Sequence, residues 1–299
     1  MIKNIFHKLN KNLGVLIFNN PNNLYYCFFN YLFKKKIIKN LNKKDIADFK
    51  NQGFISPKID LRLFCEFLQN EIKKQAQKKN DKGYSYFKIN EIMRKKIKEI
   101  IDINFKETLK DLEQYFNGKI FVGDVRISRN YNLDHVNKND KLEEIYSNFF
   151  HVDHYTYNYF KLFINISDVN ENNGPLHYLN IADTKSFVKK SNYSSRNNYK
   201  DIIFKKINKN TGKSGKSLIV STTECIHRAG IPDKDLCRDV LFITFVVAPK
   251  NKYKSDNFFY FENSHYESIW NNRGLVTKKF AKPKSLSETL KLYREFKTH

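Results

Sequence analysis

"FHVDHYTYNYFKLFINISDVNENNGPLHYL", residues 150–179, holds the pattern from which the rest of the chain is read. His151 and Asp153 stand two residues apart, just ahead of the strand-like run at 159–166, and the run breaks at Gly174-Pro175. In extended backbone, residues i and i+2 point to the same side. His151 and Asp153 can therefore aim at one point while Val152 points away. An imidazole and a carboxylate converging in this way form a borderline-hard metal-ligand pair.

One more histidine would complete a facial triad of the non-haem Fe(II) type, which leaves coordination positions open. It has to come from a second chain segment, and the candidate is His227 in "LIVSTTECIHRAGIPDKDLCRDVLFITFVV", residues 218–247. Eleven residues further on, Arg238 heads the next strand-like run. A 2-oxo acid can chelate such a metal through its keto oxygen and C1 carboxylate. Its distal carboxylate then needs a permanently charged, planar partner, and guanidinium suits a bidentate clamp.

His151-x-Asp153, the segment "KLFINISDVNENNGPLHYL", His227 and Arg238 together resemble the phytanoyl-CoA dioxygenase family of Fe(II)/2-oxoglutarate oxygenases. "NKKDIADFKNQGFI", from residue 42, is similar to that family's opening helix, and the resemblance runs over about residues 42–248. It implies a double-stranded β-helix (jelly-roll, cupin-like) core. It implies His151, Asp153 and His227 as iron ligands and Arg238 on the 2-oxoglutarate C5 carboxylate. The implied cofactors are Fe(II), 2-oxoglutarate and O2, with release of succinate and CO2. A carboxylate at 153, where halogenating relatives carry a small residue, implies hydroxylation. The chain departs from the family after Gly174-Pro175-Leu176, reading "HYLNIADTKSF" instead of a "GSH"-like turn, which bears on the cavity wall.

Upstream, the pattern is helical. "NKKDIADFKNQGF" offers Asn42 as N-cap and Gly53 as stop. "IDLRLFCEFLQNEIKKQAQKK" offers Asp60 as cap and places Leu63, Phe64, Phe67, Leu68 and Ile72 on one face. A longer pattern carries Met93, Ile97, Ile100, Ile101, Leu109, Leu112 and Phe116 at three- and four-residue steps. After about residue 118 the texture turns to β-branched and aromatic runs between polar loops. Helices first and strands after predict an α+β fold with N-terminal helices supporting the jelly-roll core. The expected division is a basic, aromatic extension at 1–41, an oxygenase domain at 42–250 and a C-terminal extension at 251–299 packing on the core.

Of the 299 residues 40% are hydrophobic, enough for a sizeable core, which excludes global disorder. A formal charge of +23 attracts anions, but the basic residues are spread along the chain and match no nucleic-acid-binding signature. The overall charge accompanies a chain rich in Lys, Asn, Ile, Tyr and Phe and reads first as compositional bias. The polar, basic stretch 189–216 reads as a lid, a binding loop or a disordered segment, and its charge suits a small or carrier-linked anionic substrate. Cys27, Cys65, Cys225 and Cys237 form no metal-finger spacing and read as reduced thiols of a cytoplasmic protein. The most apolar window, 24–33, is shorter than the roughly 20 residues of a membrane span. It reads as a buried helix, with peripheral membrane contact as the alternative. "TGKSGKS", 211–217, has two residues between its glycines where a phosphate-binding P-loop needs four. Secondary candidates are Arg126, Ser128, Arg129 and Asn130 on a barrel strand; His177 reads as a satisfied core or surface histidine, with a place in the cavity lining as the alternative. His154 breaks the alternation and points outward, and Cys225 packs near His227. The competing functions are a cupin-like metalloenzyme that does not use 2-oxoglutarate and a non-enzymatic basic protein on nucleic acid or membrane.

Overall fold

The structure is a computed structural model, and it describes residues 29–33, 43–75, 83–134, 136, 144–153, 155–190, 206–250 and 280–297. His154, Asn42, Cys27, most of the two extensions and residues 191–205 of the basic stretch lie outside the described residues.

Helix α1 (Lys44–Gln52) buries Ile46 and Phe49. Gly53 ends it with φ +87°, its N–H bonded to the Phe49 carbonyl at 2.9 Å. That left-handed conformation is open to glycine at little cost. The chain turns directly into β1 (Phe54–Ile55). Helix α2 (Arg62–Lys73) buries Phe64, Cys65, Leu68 and Ile72. Leu63 is instead 82% exposed, so the apolar stripe is narrower than its sequence suggests. Asp60 is not the N-cap residue either. Leu61 holds that position, and Asp60 accepts from the Arg62 N–H at 3.1 Å.

After β2 (Tyr84–Phe87) the long helical pattern splits into α3 (Glu91–Asn104) and α4 (Lys106–Phe116). The break falls at Phe105, whose ring is fully buried. A second helix axis lets Leu109, Leu112 and Phe116 reach the sheet while Met93, Ile97 and Ile101 stay buried on α3. The other strands are β3 (Gly118–Tyr131), β4 (Tyr159–Asn165), β5 (Leu176–Tyr178), β6 (Asn208–Lys209), β7 (Ser217–Val220), β8 (His227–Ala229) and β9 (Cys237–Pro249). Helix α5 (Ile181–Lys190) follows β5, and α6 (Leu286–Lys297) closes the described chain. The 211–217 segment leads into β7, a strand, as its failed P-loop spacing suggested.

Among the described residues the strands form two antiparallel sheets. The larger has the order β1-β7-β4-β9-β3-β2, and the smaller β6-β5-β8. One face of the larger sheet packs on the helices. Phe160 lies 5.9 Å from the rings of Phe49 and Phe116 and 5.3 Å from Phe245. Residues 29–33 are helical, and Phe33 packs 4.7 Å from Phe296 of α6. Phe29 and Phe33 are thus core residues, not a membrane-facing pair. Burying each such ring stabilises the fold by about 1.5–3 kcal/mol.

A β-bulge sets what the opposite face carries. Val122 pairs with Phe245 and Asp124 with Thr244, so Gly123 is the extra residue in β3. Before it, Ile120 and Val122 face the helices; after it, Val125 and Ile127 do. The switch in parity turns Asp124, Arg126, Ser128 and Asn130 to the side away from the helices.

Candidate metal centre and its cavity

That second face of the larger sheet is one wall of a cavity of about 410 Å³. Cross-strand register lays its side chains out in rows. Tyr84, Asn130 and Arg238 form one row; Tyr86, Ser128 and Val240 the next. Arg126, Phe242 and Phe163 follow, then Asp124, Thr244 and Lys161. Leu176, His227 and Ala229 of the smaller sheet stand across from them, with His151, Asp153, Tyr146 and Ser147. Tyr146 and Ser147 both have positive φ, 39° and 60°. Such conformations are strained for these residues and gather at functional sites.

His151, Asp153 and His227 converge, with one potential ligand atom from each lying within 4.8 Å of the others. All three are buried. Backbone pairing brings the two histidines together. The His151 N–H donates to the His227 carbonyl at 3.0 Å, and the His227 N–H returns the bond at 2.8 Å. The Asp153 N–H is fixed on the Thr222 carbonyl at 2.8 Å.

Each imidazole also has its outer nitrogen tied to backbone. His151 Nδ1 lies 2.8 Å from the Phe149 carbonyl and His227 Nδ1 3.0 Å from that of Cys225. A carbonyl accepts only, so Nδ1 carries the proton and Nε2 presents a lone pair, the arrangement metal-bound histidines use. The oxygens of Asp153 are divided. Oδ1 faces His151 Nε2 at 3.7 Å, and Oδ2 meets the Lys161 ammonium at 2.7 Å. Burial raises the Asp153 carboxyl pKa, but the Lys161 ammonium, with the imidazoles of His227 and His151 beside it, outweighs burial and holds it below the ordinary carboxylate range.

Arg238 is buried with little compensation. One guanidinium nitrogen donates to the Gly174 carbonyl at 2.6 Å, while Nε has no hydrogen-bond partner among the described residues. No carboxylate among the described residues pairs with it. Burial lowers its pKa to about 10. A buried guanidinium left this way is poised for an anion. Gly174 can offer its carbonyl because it has φ +67° and lies against Gly230 and Pro232; a Cβ there would stand 2.5 Å from the Pro232 nitrogen.

Arg126, Ser128 and Asn130 line the cavity, but Arg129 does not. It points to the other side of β3 and clamps Asp239 through two bonds of 2.7 Å. His177 is not among the lining residues. It accepts from Arg228 Nε at 3.1 Å, and burial, with nearby cations, lowers its pKa to about 3. Cys225 packs its thiol near the Gln52 and Gly53 carbonyls, away from the cavity. Lys161 and the Gly174 carbonyl went unnoticed in the sequence reading. The signal for Lys161 was available, since a lone lysine inside the apolar run "YFKLFINI" is seldom buried without a partner.

No family and no curated protein matches the sequence. Solved structures that this chain resembles in part include HygX from Streptomyces hygroscopicus with nickel, 2-oxoglutarate and hygromycin B bound. It is 11% identical, with a TM-score of 0.49, over 69% of this chain and 87% of that one. The non-heme alpha ketoglutarate dependent epimerase SnoN from nogalamycin biosynthesis is 8% identical, with a TM-score of 0.47, over 69% and 82%. EvdO2 from Micromonospora carbonacea var. aurantiaca is 12% identical, with a TM-score of 0.45, over 71% and 94%. At these values the functional reading rests on the side chains themselves. No helix among the described residues is long and apolar enough to cross a membrane.

Proposed function

We propose that this protein is an Fe(II)- and 2-oxoglutarate-dependent oxygenase of the jelly-roll type. The observation that carries the reading is the pairing, in one cavity, of the His151–Asp153–His227 cluster with the buried guanidinium of Arg238. The two Nε2 atoms and Oδ1 of Asp153 would hold the metal, and Arg238 would hold the distal carboxylate of the cosubstrate. When bound, Fe(II) supplies the redox chemistry that couples O2 reduction to decarboxylation of 2-oxoglutarate, giving succinate, CO2 and an oxidised substrate. A cupin-like enzyme without 2-oxoglutarate has no use for a buried guanidinium whose Nε has no partner among the described residues.

The chain's own residues orient and shield. The carbonyls of Phe149 and Cys225 fix the imidazole rings, and the Gly174 carbonyl fixes Arg238. Tyr155 and Tyr159, stacked at 4.2 Å, wall one side of the cavity near Asp153. A carboxylate at 153 favours hydroxylation over halogenation. The cavity suits a small molecule, and the cations Arg126, Lys161, Lys282 and Arg238 outnumber the carboxylates Asp124 and Asp153 along its wall, which favours an anionic one.

The test needs no substrate. Fe(II) and then 2-oxoglutarate are added to anaerobic metal-free protein, and the visible metal-to-ligand charge-transfer band is recorded. The band is expected in the wild type, weakened in Arg238→Ala and absent in His227→Ala. Iron binding without a band would sink the 2-oxoglutarate reading, and no iron binding would sink the metal site.

A further inference from the structure

The pairing of Lys161 with Asp153 bears on how this site fills. Lys161 stands in the middle of β4, between β7 and β9, so its backbone is held from both sides. Its ammonium reaches Oδ2 of Asp153 at 2.7 Å. The other carboxylate in its row, Asp124, is paired at 2.8 Å with Arg126. The negative charge left facing Lys161 is therefore that of Asp153.

The charges around the centre then cancel. Two imidazoles with Nδ1 protonated are neutral, Asp153 contributes −1, and so does Glu144, whose Oε1 lies 3.8 Å from His151 Nδ1. Lys161 and Arg238, both lining the same cavity, contribute +1 each. A divalent cation entering alone meets ligand atoms of suitable geometry but no net negative charge. In a buried site, uncompensated positive charge is strongly unfavourable. A dianionic 2-oxo acid reverses this by bringing two carboxylates into a cavity that holds the metal, Lys161 and Arg238.

We infer that Lys161 couples the two binding events: it keeps affinity for the divalent metal low until the dianionic cosubstrate is present, and so makes the two load together. Lys161 is here a positioning and charge-setting residue. It caps Oδ2, leaving Oδ1 to face the histidines, and it sets the electrostatic threshold for metal entry. The inference rests on the proposed Fe(II)/2-oxoglutarate function and goes beyond it by assigning an order-dependent affinity to one side chain. By thermodynamic linkage, whatever factor 2-oxoglutarate adds to metal affinity, the metal adds to 2-oxoglutarate affinity.

The experiment titrates metal-free full-length protein with Mn(II), a redox-quiet stand-in for Fe(II), by calorimetry under anaerobic conditions, with and without saturating 2-oxoglutarate. The wild type, Lys161→Met and Lys161→Arg are compared. In the wild type, 2-oxoglutarate is expected to tighten Mn(II) binding strongly. Lys161→Met keeps an unbranched stem one atom shorter and removes its charge. It is expected to bind Mn(II) alone on the order of tenfold more tightly than wild type, and to show a coupling factor smaller by a similar amount. Lys161→Arg keeps the charge and is expected to keep the coupling.

Equal weakening of Mn(II) binding in Lys161→Met with and without 2-oxoglutarate would mean that Lys161 only holds Asp153 in place, and would overturn the inference. So would a coupling factor indifferent to residue 161, or a wild type whose Mn(II) affinity ignores 2-oxoglutarate. The last does not depend on any variant folding. A wild type that binds no Mn(II), or whose metal-loaded form binds no 2-oxoglutarate, would overturn the proposed function itself and this inference with it.

Discussion

Along the larger sheet, Arg238, Lys161 and Arg126 stand on strands hydrogen-bonded on both sides; across the cavity, His151 joins the smaller sheet through one residue pair. The first wall places fixed charges by register over long strands. The second places the atoms proposed as metal ligands by short reciprocal backbone bonds and by carbonyls that orient the rings. Stability and chemistry are therefore expected to respond differently to substitutions on the two walls.

The largest effect belongs to the short wall. His227→Ala is expected to weaken metal binding by on the order of 100-fold or more, beyond the penalty for losing a partner of a ligand. Its thermal midpoint is expected to move little, because the pairing with His151 is made by backbone. Intact metal affinity with a collapsed midpoint would erase the contrast. On the long wall, Arg238→Ala is expected to lower 2-oxoglutarate affinity by about 100-fold, the range for truncating one side of a buried charge pair. The cosubstrate-free protein is expected to hold or gain stability, since a buried charge with an unsatisfied Nε is removed.

Gly174→Ala sharpens the link between the walls. The positive φ and the 2.5 Å approach to Pro232 predict a loss of about 1–3 kcal/mol in denaturant unfolding, with weaker 2-oxoglutarate binding as Arg238 loses its carbonyl. An effect confined to acid pH is expected at His177, on the smaller sheet but outside the cavity lining. Its folded pKa, about 3, lies below the ordinary 6.5, so the folded protein binds fewer protons there than the unfolded chain. Stability is therefore lost as pH falls below 6.5, and the loss accumulates down to about 3. Equilibrium unfolding of His177→Gln across that window is expected to show a shallower decline than wild type.

What the sequence disclosed follows from where its signals are local. His151 and Asp153 share a short motif, Gly53 ends a helix by its own backbone conformation, and the runs around β3, β4, β7 and β9 carry their β character in composition. Arg129 was a miss of a particular kind. Its neighbours Ser128 and Asn130 reach the cavity and it cannot, because alternation forbids three consecutive residues on one face. Which residues of β3 face inward depends on the bulge at Gly123, and that was invisible without the partner strand. The same holds for the break at Phe105, set by what its ring packs against, and for the short strands β1, β5, β6 and β8, whose two or three residues carry too little pattern to stand out.

The pairing of β3 with β9 has one further consequence. These neighbours are Gly118–Tyr131 and Cys237–Pro249, joined along their whole length although more than a hundred residues separate them in the chain. Contacts so distant in sequence are slow to form, because loop closure precedes any gain. During synthesis, His151 and Asp153 emerge well before His227, and β4 waits for both β7 and β9 to flank it. A nascent chain halted before residue 237 would present β3 and β4 with open edges facing one another, a form suited to capture by a chaperone or to misassociation. The centre of the larger sheet therefore cannot be completed until residues 237–249 have been made.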